Sequence, residues 1–324
     1  MKLLIVGLGS MGKRRARLCK GIDAATQIIG VDTAESRRKE AAELQLADET
    51  CATIAEAAAL HPDAALVCTA PLTHAAIISE LLDCGLPVFT ELNLVSDGYT
   101  ENMAKAAAKN LPLFLSSTML YRRETQYIKA QVQQFGKPVH YIYHIGQYLP
   151  DWHPWENYKN FFVGNVRTGG VREIFGIDLP WLLDAFGEVE SVTVMKDTLS
   201  DLGLPYPDCV TLLLRHKNGV QGVLAADVVS RKAVRSFECF GDGLHLFWEG
   251  NPKALYEFRG GDKQFVDTYT SFEHDSRYSD NIVENAYVDE LTNFFGVLQG
   301  SEVSRWSFEK DLAAIALMDK IEQA

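Results

Sequence analysis

The sequence predicts an α/β protein in two parts: a Rossmann doubly wound parallel sheet, followed by an α+β domain with a large, open and mostly antiparallel sheet. Three observations predict this arrangement. A short apolar run at residues 2–6 ends in the turn GLGSMG, after which a helical pattern begins. Strand and helix patterns then alternate up to about residue 120. From residue 139 onward the strand candidates lengthen and no longer alternate with helices.

The glycine-rich turn has the spacing G-x-G-x-x-G of a dinucleotide-binding fingerprint, and it lies between a strand and a helix. Gly7 permits the tight turn, Gly9 lets the backbone approach a pyrophosphate, and Gly12 lets the helix pack closely on the strand. The first N–H groups of the helix point at the phosphates. A second apolar run ends in Asp32, 20 residues after Gly12, where a carboxylate accepts hydrogen bonds from a ribose. The candidate cofactor-binding residues of this segment are Gly7, Gly9, Ser10, Met11, Gly12 and Asp32.

Asp32 also bears on the choice between NAD and NADP. A carboxylate at this position repels a 2′-phosphate and therefore favours NAD. Arg37 and Arg38 follow soon after it and keep NADP open. The alternative to a dinucleotide site is a glycine turn in an unrelated βα unit, with Asp32 an ordinary carboxylate at the end of a strand.

The rest of the first part repeats the strand–helix unit. The strand candidates are residues 2–6, 27–31, 64–68, 87–90 and 113–116, with a weaker one near Thr50, and the helical patterns are residues 11–20, 34–44, 53–60, 73–82 and 98–109. Repeated units of this length predict a parallel sheet with helices on both faces. Ligands of such a sheet bind at the carboxyl ends of its strands.

Composition narrows the class of protein. The net charge of −12 argues against nucleic acid or an anionic membrane as a general partner. No apolar run approaches the roughly 18 residues of a membrane span. The six cysteines are scattered, without zinc-ligand or C-x-x-C spacing, so we expect reduced thiols and a cytoplasmic protein.

The second part begins after residue 121, which gives a dinucleotide-binding domain at residues 1–121 and a substrate and oligomerisation domain at residues 122–324. A helix is predicted at residues 122–135. The strand candidates that follow are residues 139–148, 189–196, 208–217, 220–229, 234–240, 244–248 and 254–258. Asn218-Gly219 is a strong hairpin turn between two of them. Further helices are predicted at residues 171–186, 281–299 and 307–322. The histidines of the strand at residues 139–148 lack a carboxylate or cysteine beside them, so no metal site is expected.

Residues 147–159 form the richest polar and aromatic cluster of the second part. Trp152 and Trp155 offer flat faces on which a sugar ring can stack, and neighbouring side chains offer hydrogen-bonding groups. His153 is a candidate general acid or base because its ordinary pKa lies near neutrality, and Lys159 is a second candidate. The alternative is an arm that packs against a neighbouring subunit, with the tryptophans as anchors.

Asp178 falls at helical spacing with Ile174, Trp181 and Leu182 and therefore shares their apolar face. A carboxylate there is buried with a raised pKa or faces a cavity, and either makes it a candidate for proton transfer. It is equally compatible with an N-cap of a helix that restarts after Gly176. The preceding Arg172 and Glu173 are compatible with an exposed ion pair.

Over nearly its whole length, the chain resembles the glucose–fructose oxidoreductase/inositol dehydrogenase (Gfo/Idh/MocA) family. The motifs that carry the resemblance are GLGSMG, TAPLTHAAI, TELNL, TGGVREIFGIDLPWLLDAFGEV and YVDELTNFF. The resemblance implies an NAD(P)-dependent sugar or polyol dehydrogenase. It also implies that four residues lie beside the nicotinamide half of the cofactor, namely Thr69, Pro71, His74 and Glu91. Arg123 corresponds to a hinge arginine near the substrate in the family.

Two departures from the family affect proton transfer. Where the family has E-K-P, this chain has Glu91-Leu92-Asn93, and leucine can neither donate nor accept the proton that the lysine handles. The family histidine after the glycine pair is also missing, and either Asp178 or Gly176 takes its position, depending on the alignment. The catalytic candidates are therefore His153, Asp178 and Lys159.

The sequence thus predicts an NAD(P)-dependent oxidoreductase that acts on a CH–OH group of a sugar, polyol or sugar-derived acid. Two alternatives remain open. One is a dinucleotide-binding sensor or regulatory protein without turnover, and the other is a lyase or epimerase that retains NAD. The expected partners are a small carbohydrate-like substrate and further copies of the chain, in a homodimer or homotetramer.

Overall fold

The computed structural model describes residues 1–154, 156–272 and 282–324. The chain forms two compact units. The first comprises Met1–Ser117 together with Tyr287–Leu312, and the second comprises Thr118–Ala286 together with Ala313–Ala324. The first unit therefore takes in a carboxyl-terminal segment that the sequence assigned to the second domain.

The first unit contains a parallel sheet in the strand order β3-β2-β1-β4-β5-β6. Its strands are β1 (Lys2–Val6), β2 (Gln27–Val31), β3 (Glu49–Cys51), β4 (Ala64–Val67), β5 (Val88–Thr90) and β6 (Leu113–Leu115). The interiors of β1, β2, β4 and β5 are buried, as expected for a sheet covered on both faces, whereas the edge strand β3 has no buried residue. The order reverses between β1 and β4, and this switch point is where ligands of such sheets bind.

Five helices connect these strands, and each corresponds to a helical pattern predicted from the sequence. They are α1 (Ser10–Ile22), α2 (Glu35–Glu43), α3 (Ile54–Ala58), α4 (His74–Asp83) and α5 (Tyr99–Lys109). The weaker strand near Thr50 is present as β3. The predicted doubly wound parallel sheet is confirmed.

The second unit contains an eight-stranded sheet in the order β14-β13-β12-β11-β7-β10-β9-β8. Its strands are β7 (His140–Gly146), β8 (Val189–Asp197), β9 (Cys209–His216), β10 (Gln221–Asp227), β11 (Val234–Gly241), β12 (Leu244–Trp248), β13 (Leu255–Arg259) and β14 (Asp262–Phe265). Only β7 and β10 pair in parallel, so the mostly antiparallel sheet is confirmed.

The remaining described helices are α6 (Arg123–Phe135), α7 (Gly170–Phe186), α8 (Glu284–Leu298) and α9 (Phe308–Gln323). One face of the second sheet packs against α6 and α7. The predicted helix at residues 281–299 corresponds to α8, and residue 281 itself lies outside the described part of the chain. Phe294 of α8 packs edge-on against Phe89 and Phe114, at 5.4 Å from each ring, and these contacts join the part of α8 from Tyr287 onward to the first unit.

Among the described residues no helix is both long and apolar enough to cross a membrane. The described part of the chain also holds no group of three or more histidine, cysteine, aspartate or glutamate side chains that could bind a metal ion.

Candidate functional site

The glycine turn after β1 is shaped by close backbone contacts. Gly7 has φ +93° and donates its N–H to the Val31 carbonyl at 2.8 Å. A Cβ on Gly12 would lie 1.8 Å from the Gly7 carbonyl oxygen, whereas a Cβ on Gly9 would have nothing within 4 Å. Gly12 therefore serves the packing of α1 on β1, and Gly9 leaves open space at the start of α1. Ser10 and Met11 are the first residues of that helix.

Asp32 lies at the carboxyl end of β2 and is only 8 % exposed. Its Oδ2 accepts the Leu8 N–H and its Oδ1 accepts the Ala34 N–H, each at 2.9 Å. The carboxylate therefore joins the glycine turn to the end of β2. Arg37 lies 3.6 Å from Oδ2, and Arg38 donates to the backbone carbonyl of Asp32 at 2.5 Å. The residues present thus fit a dinucleotide: an open glycine, a helix amino terminus and a fixed carboxylate at one edge of the sheet.

The segment after β4 is tied together by internal hydrogen bonds. Thr69 and Thr73 share a hydroxyl hydrogen bond of 2.8 Å, and Pro71 begins a short 3₁₀ turn. His74 is 2 % exposed, and its ring nitrogens lie 2.9 Å from the Thr69 carbonyl and 2.7 Å from the Asn93 side chain. Burial lowers the pKa of His74 and keeps the ring neutral. Both nitrogens are engaged inside the unit, so His74 holds this segment in place, and its position beside the cofactor stays a prediction.

Glu91 follows β5 and is held by a buried arginine. Arg15 of α1 donates Nε to Glu91 Oε1 at 2.6 Å and Nη2 to Glu91 Oε2 at 3.2 Å. The same Nη2 donates to Glu290 Oε2 at 2.7 Å and to the Ser116 hydroxyl at 3.1 Å. Glu91 is thus fixed by an ion pair that the sequence did not indicate. Leu92 follows it, and the buried Asn93 takes the place of the family proline.

In the second unit, Asp178 is fully buried on α7. Its Oδ1 accepts hydrogen bonds from the Tyr143 hydroxyl at 2.7 Å, from Trp181 Nε1 at 2.9 Å and from Arg235 Nη1 at 2.7 Å. The N-cap interpretation is wrong, because α7 runs without interruption through Asp178 and Pro180. An ion-paired carboxylate with three donors on one oxygen is better suited to hold Arg235 in place than to exchange protons.

The polar and aromatic segment forms a series of short 3₁₀ turns between β7 and α7. Trp152 donates Nε1 to the Gln147 carbonyl at 3.1 Å. The His153 ring stacks on Phe161 with a centroid distance of 4.7 Å, and burial lowers the pKa of His153. Trp155 lies outside the described residues. Lys159 is exposed, and it lines an open groove of about 460 Å³ together with Pro150, Pro154, Glu156, Asn157 and Tyr158.

Two further arginines, Arg123 and Arg172, have partners in the structure that the sequence does not indicate. Arg123 is exposed at the start of α6, and its guanidinium stacks on Tyr269 at 4.9 Å. Arg172 is buried and pairs with two carboxylates of α9, at 2.6 and 2.7 Å. Its neighbour Glu173 is therefore not its ion-pair partner. Glu173 Oε2 is buried without a hydrogen-bond partner, and burial raises the pKa of Glu173 to about 8.

The structure groups some of the candidate residues and separates others. Gly7, Asp32, Thr69 and Glu91 all follow strands of the first sheet at their carboxyl ends. The catalytic candidates of the second unit are not joined to one another: His153 and Lys159 lie on the 3₁₀ segment, and Asp178 lies inside on α7. Tyr143, Arg235 and Glu173 are not among the residues that the sequence indicates. Tyr143 and Arg235 contact Asp178 from distant parts of the chain, so only a signal of long-range contact would have identified them. No sequence pattern marks the burial of Glu173.

Residues 1–112 match the model of the GFO_IDH_MocA oxidoreductase family, which is described as an NAD-binding Rossmann fold. This match confirms the family resemblance for the amino-terminal part of the chain, and with it a Rossmann domain of the NAD(P)-binding oxidoreductase type. A search of curated protein sequences found no match to the chain.

Solved structures of the same fold cover almost the whole chain. An oxidoreductase of Agrobacterium radiobacter in complex with NAD⁺, L-tartaric acid and magnesium has a TM-score of 0.81 at 15 % identity, over 98 % of this chain and 94 % of that one. UDP-N-acetylglucosamine 3-dehydrogenase of Acidithiobacillus ferrooxidans gives 0.76 at 17 %, over 100 % and 96 %. The WlbA dehydrogenase of Chromobacterium violaceum, with NADH and UDP-GlcNAcA, gives 0.76 at 15 %, over 99 % and 92 %. At such low sequence identities, the structural similarity establishes only that these proteins share the two-part fold.

Proposed function

We propose that this chain is an NAD(P)-dependent oxidoreductase that moves a hydride between the nicotinamide and a carbinol carbon of a sugar, polyol or sugar-derived acid. The observation that carries the proposal is the open space at Gly9 next to the fixed carboxylate of Asp32. When bound, the nicotinamide supplies the site that accepts or donates the hydride. The solved structures of the same fold include sugar-nucleotide dehydrogenases, which supports this class of substrate.

Within this proposal NAD is the preferred cofactor. Asp32 presents a carboxylate at the end of β2, where NADP would place a 2′-phosphate. The guanidinium of Arg37 is 55 % exposed and 3.6 Å from that carboxylate, so it offsets part of the repulsion. We expect tighter binding of NADH than of NADPH, and Asp32→Ser should reduce or reverse this preference.

Proton transfer must use a residue other than position 92, which is leucine. His153 fits best among the candidates, because its lowered pKa leaves a neutral ring that can accept the hydroxyl proton. Lys159 is the second candidate, and Trp152 and Arg123 are proposed substrate contacts. A loss of kcat in His153→Gln, with NADH binding retained, would support this assignment, and an unchanged kcat would remove it.

The decisive experiment combines binding and turnover. Calorimetry with NADH and NADPH measures cofactor affinity, and absorbance at 340 nm follows turnover on sugars, polyols, uronic acids and nucleotide sugars. Turnover on a panel member supports the oxidoreductase. Tight binding of the cofactor without turnover favours the sensor or regulatory protein. The observation that motivates this alternative is Leu92, which stands where the family has a lysine. Release of product without net change in NADH favours the lyase or epimerase.

Two glycines of the first helical segment provide a matched pair of variants. A Cβ on Gly9 or on Gly21 would have nothing within 4 Å, so neither substitution creates an internal clash. Gly9→Ala should weaken NADH binding because its methyl group enters the proposed pyrophosphate space. Gly21→Ala, farther along α1, should leave the affinity unchanged. Equal affinities in the two variants would contradict the proposed phosphate site.

We also propose that the open face of the second sheet binds another copy of the chain. Ile142, Leu213 and Met195 are 43 %, 56 % and 70 % exposed, and Val223 pairs with both Ile142 and Leu213 in the sheet register. An exposed apolar patch of this kind is typical of an interface. Light scattering should show a dimer or tetramer, and Leu213→Glu should dissociate it. A monomeric wild-type protein would refute the proposal.

A cytoplasmic location is the last element of the proposal. All six cysteines are free thiols, as expected in a reducing compartment. Recovery of the protein in a secreted or membrane fraction would contradict it.

A further inference from the structure

Arg235 is held by one end of its guanidinium. Its Nη1 donates to Asp178 Oδ1 at 2.7 Å, and the same nitrogen lies 3.2 Å from the Met119 sulfur and 3.4 Å from the Tyr143 hydroxyl. Its aliphatic stem packs against Gly250, where an added Cβ would lie 2.7 Å from the Arg235 Cβ. The side chain is 14 % exposed. Its position is therefore fixed at both the stem and one nitrogen.

The other edge of this guanidinium, formed by Nε and Nη2, has no hydrogen-bond partner in the described part of the chain. Neither nitrogen is buried without a partner. Since they have no partner in the described residues, both are accessible to solvent. These two N–H groups point in parallel and form a fork that matches the two oxygens of a carboxylate.

Two other arginines of the same chain show what this edge does when it is occupied. Arg15 uses Nε and Nη2 to hold the carboxylate of Glu91 at 2.6 and 3.2 Å. Arg122 uses the same two nitrogens to hold the carboxylate of Glu124. Arg235 is anchored through Nη1 alone, and the same edge of its guanidinium is open.

Asp178 explains why the open edge is also a fixed one. It is fully buried, it accepts Arg235 Nη1, and it is itself held by Tyr143 and Trp181. Asp178 therefore acts as a positioning residue that keeps the guanidinium from turning. An arginine that is oriented before the ligand arrives loses less conformational entropy on binding.

We propose that Arg235 binds a carboxylate of the substrate through Nε and Nη2, which makes the substrate a sugar acid or another hydroxy acid. This inference rests on the proposed function, because it selects an acidic member of the substrate class. In this proposal Arg235 on β11 selects substrates that carry a negative charge, and other residues transfer the proton.

The test compares acidic and neutral ligands of similar size. Calorimetry on the full chain would use D-glucuronate, D-glucose and D-glucose 6-phosphate. We expect the wild type to bind glucuronate more tightly than glucose, and Arg235→Gln to weaken glucuronate binding by about 10- to 100-fold, the range for a charged hydrogen-bonded pair. Binding of glucose should change little, which separates a specific contact from a general loss of structure.

Further variants sharpen the result. Asp178→Asn should weaken glucuronate binding less than Arg235→Gln does, again without an effect on glucose. Arg215→Gln is the matched control, since Arg215 is 56 % exposed and lies 3.9 Å from its nearest carboxylate partner, Glu190. It should change neither affinity.

Three outcomes would overturn the inference: no preference of the wild type for glucuronate over glucose, an equal loss of both ligands in Arg235→Gln, or an Arg235-dependent preference for glucose 6-phosphate over glucuronate. NADH affinity is measured separately on the same samples. Failure of NADH to bind would reject the proposed function, whereas a lost acid preference with intact NADH binding would reject only the role of Arg235.

Discussion

Two arginine–carboxylate clusters, one in each unit, are built from the same kinds of residue and differ in how many donors they use. Arg15 is fully buried and directs Nε and Nη2 at Glu91 and Glu290. Its guanidinium also lies 4.7 Å from the ring of Phe89 and 5.1 Å from that of Tyr287. This cluster is closed. The Arg235 cluster is open, because only one of its nitrogens is engaged.

The difference teaches how to separate structural from ligand-binding charges. Arg15 is fully buried, and its one nitrogen without a hydrogen-bond partner, Nη1, is buried as well, so no donor is accessible to a ligand. Its contribution is to stability and to the position of Glu91. A partly exposed arginine that is anchored at one nitrogen keeps a rigid pair of donors for another molecule. Variants of the first should therefore affect stability, and variants of the second should affect ligand binding.

The largest expected effect is that of Arg15→Met. Removal of the guanidinium leaves Glu91 and Glu290 without their cation, and Glu290 is fully buried. Removal of one partner from a buried ion pair typically costs about 3–5 kcal/mol. Chemical denaturation monitored by circular dichroism should therefore show a loss of this order in the free energy of unfolding.

Lys13→Met is the matched control on the same helix. Lys13 pairs with Glu40 at 2.6 Å, but the two side chains are 27 % and 50 % exposed. Exposed pairs contribute about 0–1 kcal/mol. Similar losses in the two variants would contradict the distinction between a closed buried cluster and a surface pair.

The sequence predicts the features that are local in the chain and misses the contacts between distant residues. The dinucleotide fingerprint is local: Gly7, Gly9 and Gly12 are close in sequence, and Asp32 follows at a fixed distance. The strands and helices of the first unit were predictable for the same reason, since each apolar run is bounded by turn residues. The Arg15 cluster was not predictable, because Glu290 lies 275 residues away in the chain.

The second unit shows the limits of periodicity more strongly. Asp178 was selected because it shares an apolar helix face, but its partners Tyr143 and Arg235 come from two different strands. The short strand β14 was missed because all its residues are exposed, which leaves no alternation of buried and exposed positions to detect. The sequence is compatible with an exposed ion pair between Arg172 and Glu173, whereas Arg172 pairs with the distant helix α9.

Glu173 extends the comparison to a buried carboxyl group that has no cation beside it in the described part of the chain. Burial raises its pKa to about 8, well above its ordinary value of 4.5. Its contribution to stability is therefore fully present below pH 4.5 and is lost as the pH rises through about 8. Since each tenfold change in proton affinity corresponds to about 1.4 kcal/mol, we expect Glu173→Gln to gain roughly 2–4 kcal/mol relative to the wild type between pH 5 and pH 9.

The measurement is the free energy of unfolding of both proteins across this pH range. Glu188→Gln is the control, because Glu188 is exposed and the ion pair with Lys217 lowers its pKa. That variant should not gain stability relative to the wild type as the pH rises. Parallel pH profiles of Glu173→Gln and the wild type would show that the Glu173 carboxyl is already charged at pH 5.

The smallest expected effect concerns Asp311, a buried carboxyl group whose partners are neutral. It accepts the Tyr99 hydroxyl at 2.6 Å and Trp306 Nε1 at 2.9 Å. Burial raises the pKa of Asp311 to about 6, against an ordinary value of 3.8, and the two donors limit the rise. The stability it contributes is thus fully present below pH 3.8 and is lost as the pH rises through about 6.

Tyr99→Phe tests this balance, because it removes one of the two donors and keeps the ring that packs on Phe308 at 4.7 Å. The pKa of Asp311 should rise further, so the loss of stability should move to higher pH and grow by about 1 kcal/mol, the usual size of one such hydrogen bond. Unfolding free energies between pH 4 and pH 8 would show the displaced transition, and Asp311→Asn should abolish it. The contrary result is a Tyr99→Phe profile in which the free energy of unfolding is lower by the same amount at every pH. It would mean that the hydroxyl stabilises the charged and the neutral forms of Asp311 equally. Neutral donors would then not stabilise a buried carboxylate in the way that a cation does.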